Sequence, residues 1–176
     1  MCFPHTLDDE VILTYLTPRD GDRFYALVDR NREHLGRWFS WVKRYQSTSD
    51  ARAFAEANLQ RMATLSGMTC LVWHRKIPAG LVDLLNLDVG TSEAEVGFWL
   101  GEDFQGLGIA RKATAALMEY AFVGLGFQLI RAKVRPGNDR SRRLLEGMGF
   151  SLVRQGESLE YEVARDSRMV GLDRRS

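Results

Sequence analysis

Apolar and basic residues alternate from Ile130 to Arg135 within the segment Leu129–Arg135. This period of two is typical of a strand with one solvent-exposed face, and Pro136-Gly137 ends it. Apolar runs predict further strands, around Val11–Leu16, Thr69–Trp73, Leu81–Leu87, Glu93–Leu100, Ser151–Gln155 and Arg168–Leu172. The segment Arg75–Gly80, which contains Pro78, is expected to be the turn between two of them.

Helical spacing of apolar residues predicts four helical regions. The first follows Thr17-Pro18, with the threonine as cap, and Gly36 is expected to break or bend it. The second follows a capping cluster at Ser47–Asp50 and is expected to bury one stripe before Gly67, formed by Phe54, Ala55, Leu59, Met62 and Leu65. The other two run from Ala110 to near Gly124, and from Ser141 through Met148 with Gly149 as the stop. With no repeat and no linker, one α/β domain with a mixed sheet over residues 1–176 is the simplest architecture.

Composition narrows the function classes. The chain is 45% hydrophobic and 27% charged, which is typical of a globular protein, and its net charge of +1 gives no overall attraction to nucleic acid. Cys2 and Cys70 form neither a disulfide framework nor a zinc pattern, and they suit a reducing cytoplasm. The three histidines lack metal-ligand spacing, so no metal is expected. No apolar segment is long enough to cross a membrane.

The most informative segment is the glycine-rich turn Gln105-Gly106-Leu107-Gly108-Ile109-Ala110. It lies between a predicted strand and a predicted helix. A helix start leaves backbone N–H groups free, and the helix dipole adds partial positive charge there. Because the glycines remove side chains that would block close approach, the turn predicts a seat for phosphate oxygens.

Downstream of this turn the chain reads helix, strand, Asn138-x-x-Ser141, helix and Gly149-Phe150. In this order of elements it resembles the GCN5-related N-acetyltransferase (GNAT) superfamily, whose pyrophosphate-loop pattern Gln/Arg-x-x-Gly-x-Gly/Ala is matched by Gln105, Gly108 and Ala110. The N-terminal segments Leu13–Asp20 and Asn31–Trp38 are similar to the RimJ/RimL branch of ribosomal-protein acetyltransferases. The resemblance covers nearly the whole chain and weakens after Val163.

The resemblance implies a mixed, mostly antiparallel sheet whose splayed central strands hold acetyl-CoA as cosubstrate. Backbone groups of Phe98, Trp99 and Leu100 would bind the pantetheine arm, and residues 105–110 the pyrophosphate. Further phosphate contacts would come from Arg111 and Lys112, and from a cluster of Arg140, Arg142 and Arg143; a solvated helix face is the alternative for each arginine. Asn138 would bind the pantetheine arm or cap its helix.

The resemblance also implies catalytic roles. Ser141 would protonate the leaving sulfur, or serve only as a polar residue of the first helical turn. Glu160 would be the general base, its pKa raised by desolvation between Leu159 and Tyr161, or a surface residue of an edge strand. Rival bases are Glu95, Asp83 and His34.

The acceptor side is expected to use Trp38 and Trp41, with Phe39 between them and Glu95 nearby, although core packing or a dimer contact are alternatives for the aromatic residues. The expected reaction is acetyl transfer from acetyl-CoA to a primary amine, in particular the α-amine of a protein or peptide of the ribosomal-protein type, by direct attack in a ternary complex. Acetylation of a polyamine, an antibiotic or an aminoacyl-nucleotide is the alternative, and an acyl-CoA sensor without turnover is a third. The enzyme is expected to act as a monomer or homodimer without nucleic acid or membrane.

Overall fold

A computed structural model describes residues 4–165 of the chain. Eight strands in this range form one sheet in the order β1-β2-β3-β4-β5-β6-β8-β7. The strands are β1 His5–Thr6, β2 Val11–Tyr15, β3 Met68–His74, β4 Ile77–Asp88, β5 Glu93–Leu100, β6 Leu129–Val134, β7 Ser151–Gln155 and β8 Leu159–Ala164. Every neighbouring pair is antiparallel except β5 and β6. The mixed, mostly antiparallel sheet expected from the sequence is confirmed.

Five α-helices flank the sheet within the described range: α1 Gly21–Arg30, α2 Arg32–Gly36, α3 Thr48–Ala63, α4 Ile109–Glu119 and α5 Asp139–Gly147. Short 3-10 turns lie at Pro18–Asp20, Ser40–Arg44 and Glu102–Phe104, and a π turn at Tyr120–Gly124 extends α4. Helices α4 and α5 pack on one side of the sheet, where Leu117 and Leu145 are fully buried. The other three helices cover a second core around Phe24 and Trp99 on the opposite side.

The central strands separate after a short parallel contact. Strand β5 pairs with β6 only from Glu93 to Glu95, opposite Leu129 to Arg131. The antiparallel pairing of β5 with β4 continues to Leu100, so β5 itself is intact beyond this point. The edge of β5 that faces β6 therefore lacks a strand partner from Val96 onward, and the sheet opens there.

The amphipathic pattern predicted for β6 is confirmed, since Ile130, Ala132 and Val134 are buried while the basic residues between them are exposed. The helix start at Ser47 is also confirmed: Ser47 Oγ accepts from the Asp50 N–H at 3.3 Å, and Asp50 accepts from the Ser47 N–H at 2.8 Å. The predicted stripe of α3 is partly wrong, because Leu59 and Leu65 are exposed.

The buried face of α3 carries Asn58 instead, which the hydrophobic pattern does not reveal. Its amide donates to the carbonyls of Leu16 and Thr69 at 3.0 and 3.2 Å, and its Oδ1 accepts from the Thr69 N–H at 2.7 Å. These bonds join α3 to the ends of β2 and β3, so the side chain is fully satisfied in the core.

One other local prediction needs correction. The turn expected over Arg75–Gly80 is a two-residue hairpin at Arg75 and Lys76, both with positive φ, and β4 begins at Ile77. Pro78 is tolerated inside the strand because the register with β3 shifts between Val72 and Trp73.

At the C-terminal end, the strand Ser151–Gln155 is confirmed. Its partner is Leu159–Ala164, which inserts between β6 and β7, whereas the strand expected at Arg168–Leu172 lies outside the described residues.

Candidate active site

A cleft of about 570 Å³ lies where the sheet opens. Its walls come from the C-terminal end of β5, the turn before α4, the start of α5 and the α2 region. The lining includes His34, Trp38, Phe39, Phe98, Trp99, Leu100, Gln105, Gly106, Gly108, Ile109, Ala110, Arg111, Asn138, Arg140 and Ser141. Most residues that the sequence proposed for cofactor binding are thus brought together around one space.

The glycine turn has the backbone geometry that a phosphate seat requires. Gly106 and Gly108 have φ values of +79° and +74°, and Gly108 is the N-cap of α4. Positive φ is strained for other residues, so these glycines let the first N–H groups of α4 face the cleft. The side chain of Leu107 does not line the cleft; it is 53% exposed and borders a separate cavity of about 210 Å³.

The other wall combines a strand edge with a helix start. Phe98, Trp99 and Leu100 line the cleft where the β6-facing edge of β5 has no partner strand. Across from them, Asn138 Oδ1 accepts from the Ser141 N–H at 3.2 Å, so Asn138 is the cap of α5. Both residues line the cleft, and their cofactor and catalytic roles stay predictions.

The arginines divide between cleft and surface. Arg111 and Arg140 line the cleft, whereas Arg143 is exposed and lies outside its lining. Arg142 is held by the Tyr161 hydroxyl at 3.3 Å and by Asp139 at 3.2 Å. Arg140, Ser141 and Leu144 share the face of α5 that borders the cleft, and Arg143 falls off that face.

The aromatic residues Trp38, Phe39 and Trp41 also differ in whether they line the cleft. Trp38 and Phe39 line the cleft. Trp41 does not, because its ring packs against Phe39, Tyr45 and Trp99, with centroid distances of 5.4, 5.5 and 5.9 Å. Of the two tryptophans predicted for the acceptor side, only Trp38 lines the cleft, and its acceptor role stays a prediction.

Asn31, between α1 and α2, links this helical region to the segment that follows β5, and the sequence did not predict this contact. Its amide donates to the Leu27 carbonyl at 2.8 Å, and its Oδ1 accepts from the Glu102 N–H at 2.9 Å. Glu102 starts the connection from β5 to the glycine turn. His34 adds a second link, because its Nε2 lies 2.6 Å from Gln105 Nε2. Because Asn31 and Glu102 are 71 residues apart in the chain, no local pattern in the sequence signals this contact.

Glu160 lies outside the cleft lining. The expectation that its pKa is raised is wrong, since the hydrogen bond from Arg154 on β7 lowers the pKa of Glu160. Strand alternation buries Leu159 and Tyr161 while turning Glu160 to the opposite face, so their burial does not desolvate it. Glu95 is bound by Lys133 at 3.0 Å and by Asn86 at 3.2 Å.

Asp83 on β4 has the environment that was expected for Glu160. Burial raises the pKa of Asp83 to about 6, while a hydrogen bond with Thr69 and the charge of Arg61 pull the pKa the other way. Asp83 is directly opposite Gly97 in the pairing of β4 with β5, two residues beyond the last contact of β5 with β6.

Residues 4–165 contain neither a cluster of metal ligands nor a membrane-spanning helix. No group of three His, Cys, Asp or Glu side chains could hold a metal ion. No helix in that range combines the length and apolar character needed to cross a membrane.

Comparisons with known proteins agree with this geometry. A family model described as "Acetyltransferase (GNAT) domain" matches residues 10–151. The Bacillus subtilis (strain 168) protein YdaF, named as a ribosomal N-acetyltransferase, is 28% identical over 169 residues, which are 96% of this chain and 88% of YdaF.

Two solved structures share the fold. The crystal structure of a probable acetyltransferase has a TM-score of 0.86 at 25% identity, covering 93% of this chain and 97% of that one. RimL, a ribosomal L7/L12 α-N-protein acetyltransferase in complex with coenzyme A, has a TM-score of 0.87 at 20% identity, covering 92% of this chain and 98% of RimL.

Proposed function

Because this chain belongs to the acetyltransferase (GNAT) family and is an acetyl-CoA-dependent acetyltransferase, we propose that its acceptor is the α-amine of a protein or peptide. The names of its relatives support this choice, since YdaF is named as a ribosomal N-acetyltransferase and RimL as an α-N-protein acetyltransferase. A ribosomal-protein acceptor would place the reaction in the cytoplasm.

The observation that carries the proposal is the shared cleft. Gly106 and Gly108 of the phosphate turn line the same space as Trp38 and Phe39 of the α2 region. An arrangement in which both substrates reach one cleft supports direct attack of the amine in a ternary complex. It supports no acyl-enzyme route, since the one cysteine among residues 4–165, Cys70, is fully buried and burial raises the pKa of its thiol.

The residues present fit acetyl-CoA. The N–H groups at the start of α4 suit a pyrophosphate, and Arg111 and Arg140 add positive charge beside it. The open edge of β5 offers backbone groups to an extended amide chain, as an added strand would use them. When bound, acetyl-CoA supplies the acetyl group as a thioester.

The protein has three tasks in the transfer: it polarises the thioester carbonyl, provides a neutral amine and protonates the leaving sulfur. We assign the first to a backbone N–H of residues 98–100 and the third to the Ser141 hydroxyl. Ser141 is half-buried in the cleft at the first turn of α5, where the helix start favours developing negative charge. The group that neutralises the amine is the subject of the next subsection.

The proposal is tested by thiol release from acetyl-CoA with matched acceptors. A peptide with a free α-amine is compared with the same peptide N-acetylated, with a polyamine and with an aminoglycoside. We expect turnover with the free peptide and none with its N-acetylated form. Faster turnover with the polyamine or the aminoglycoside would instead assign a small-molecule acceptor. Intersecting lines in double-reciprocal plots are expected for the ternary complex, and parallel lines would refute it.

A further inference from the structure

The strongest unassigned feature is a polar cluster between α3 and the sheet, on the side opposite α4 and α5. It consists of Arg61 on α3, Thr69 on β3 and Asp83 on β4, and we call it the Asp83 cluster. Arg61 Nη2 donates to Thr69 Oγ1 at 3.2 Å, and Asp83 shares a side-chain hydrogen bond with Thr69. The cluster lies among aromatic side chains, because the Arg61 guanidinium sits 5.4 Å over the Phe54 ring.

Two polar atoms of this cluster are buried without a hydrogen-bond partner among the described residues. They are Asp83 Oδ1 and Arg61 Nε. A buried carboxylate oxygen without a partner is unfavourable, so this atom favours the binding of a proton or of a hydrogen-bond donor. Asp83 as a whole residue is half-buried while its Oδ1 is fully buried, so the carboxyl lies in a recess of the sheet surface rather than in open solvent.

The recess adjoins the opening in the sheet. Asp83 faces Gly97, where a Cβ atom would lie 3.6 Å from Asp83 Oδ2 and 3.8 Å from Leu85 Cδ1. Gly97 is next to Phe98, which lines the cofactor cleft. A residue without a side chain at this position leaves the carboxyl open toward the strand that would hold the thioester.

From this geometry we infer that Asp83 receives the acceptor amine and takes its proton. This inference rests on the proposed function and names the acceptor as a cationic primary amine. Asp83 removes one proton from the ammonium and later returns it to solvent. The nitrogen lone pair then forms the C–N bond as the C–S bond breaks, and Ser141 gives a proton to the sulfur and takes the second nitrogen proton in exchange.

The charged and titratable groups around Asp83 favour this role. Arg61 faces it from α3, Tyr45 lies at the end of the 3-10 turn Ser40–Arg44, and Cys70 is on β3. Burial and the charge of Asp83 raise the pKa of Tyr45 to about 12 and also raise the pKa of the Cys70 thiol, so both stay neutral at physiological pH. Asp83 is thus the group among them that changes charge near pH 6.

The test compares four variants of the full chain with the parent, using a peptide acceptor and acetyl-CoA. Asp83→Asn keeps the size of the side chain and removes the base. We expect kcat/KM for the peptide to fall by about 100-fold or more, and the rise of the parent rate through pH 6 to disappear. The Kd of acetyl-CoA, measured by calorimetry, should stay within about twofold of the parent, because Asp83 is outside the cofactor cleft.

Gly97→Ala gives a second, milder probe that does not depend on the charge. Its methyl group would make ordinary van der Waals contacts at 3.6–3.8 Å, so the fold is expected to survive. It narrows the approach to Asp83, and we expect a severalfold higher KM for the peptide with an unchanged Kd for acetyl-CoA. Asp88→Asn, an exposed position on the same strand, is the matched control and should behave as the parent.

Glu160→Gln decides between the two carboxylates. Loss of the pH 6 limb in Glu160→Gln, with parental behaviour of Asp83→Asn, would overturn the inference and return the base to Glu160. Parental kinetics in both Asp83→Asn and Gly97→Ala would overturn it as well. If the parent itself releases no thiol with any amine, the proposed function fails and the inference falls with it; if the parent turns over and Asp83→Asn matches it, only the inference fails.

Discussion

Asp83→Asn should make the protein more stable, and increasingly so as the pH rises. In the folded chain, burial raises the pKa of Asp83 to about 6 from a reference value of 3.8. The folded state therefore holds the proton more tightly than the unfolded state, so the wild-type side chain is favourable at low pH and loses that advantage as the pH rises from 3.8 toward 6. Asparagine does not ionise, and it avoids this loss.

The size of the effect follows from the pKa difference. Because the pKa of Asp83 is about 6 in the folded chain and 3.8 in the reference state, ionisation of Asp83 lowers the free energy of unfolding by about 3 kcal/mol well above pH 6. The free energy of unfolding that the parent loses through this ionisation is about 1.6 kcal/mol at pH 5 and about 3 kcal/mol at pH 7. The advantage of Asp83→Asn over the parent should therefore grow by about 1.3 kcal/mol between pH 5 and pH 7.

Urea unfolding of parent and variant at pH 5, 6, 7 and 8 measures this difference without any substrate. Asp88→Asn is the control, because hydrogen bonds from the Thr91 and Gly90 N–H groups lower the pKa of Asp88, and its stability difference should not grow in the same direction. A difference between Asp83→Asn and parent that is flat from pH 5 to pH 8, or that shrinks as the pH rises, would refute the assignment of a proton-holding carboxyl to this recess.

Three further predictions concern the cleft. Gly108→Asp should abolish measurable binding of CoA in calorimetry, because its carboxylate repels the pyrophosphate; Gly108→Ala shares the strain of the +74° φ without the charge and should retain more affinity. Ser141→Ala should lower kcat while CoA binding weakens by no more than about 0.5–1.5 kcal/mol, and a parental kcat would leave Ser141 with only its place in the helix. Trp38→Ala should raise the acceptor KM at unchanged stability, whereas Trp41→Ala should lower the free energy of unfolding by about 3–5 kcal/mol. Kinetics and urea unfolding measure the two effects. The reverse pattern would contradict the placement of Trp38 at the cleft and of Trp41 in the core.

Local chemistry explains what the sequence could predict. The alternation in β6 requires only that one sheet face be buried, so Ile130, Ala132 and Val134 were identified correctly. The glycine turn was readable for the same reason, since positive φ and a following helix are properties of a few adjacent residues. Both features depend on neighbours in sequence.

The errors arise where partners are distant in sequence. Asn58 is buried because it bonds the carbonyls of Leu16 and Thr69, which lie on other elements. Glu160 is placed by its strand to face Arg154 across the hairpin, and the apolar flanking residues could not reveal this ion pair. Asp83 was one of three rival bases in the sequence, and only the sheet register brought it opposite Gly97.

The same reasoning applies to the aromatic residues after Gly36. From the sequence, these large aromatic side chains could line a pocket, form a dimer contact or pack in the core, and the sequence does not decide among these roles. The structure divides them, because the 3-10 turn Ser40–Arg44 turns Trp41 toward Tyr45 and Trp99 while Trp38 stays at the cleft. Such a division depends on the path of a short irregular segment, which residue spacing does not determine.

Mapping the acetyl group on a peptide product tests the proposed reaction most directly. The peptide should carry both a free N-terminal α-amine and an internal lysine, and tandem mass spectrometry should locate the modification after incubation with the parent enzyme and acetyl-CoA. We predict one acetyl group on the nitrogen of the first residue and none on the lysine. Acetylation of the lysine alone, or an unmodified peptide beside an acetylated polyamine, would contradict the α-amine assignment.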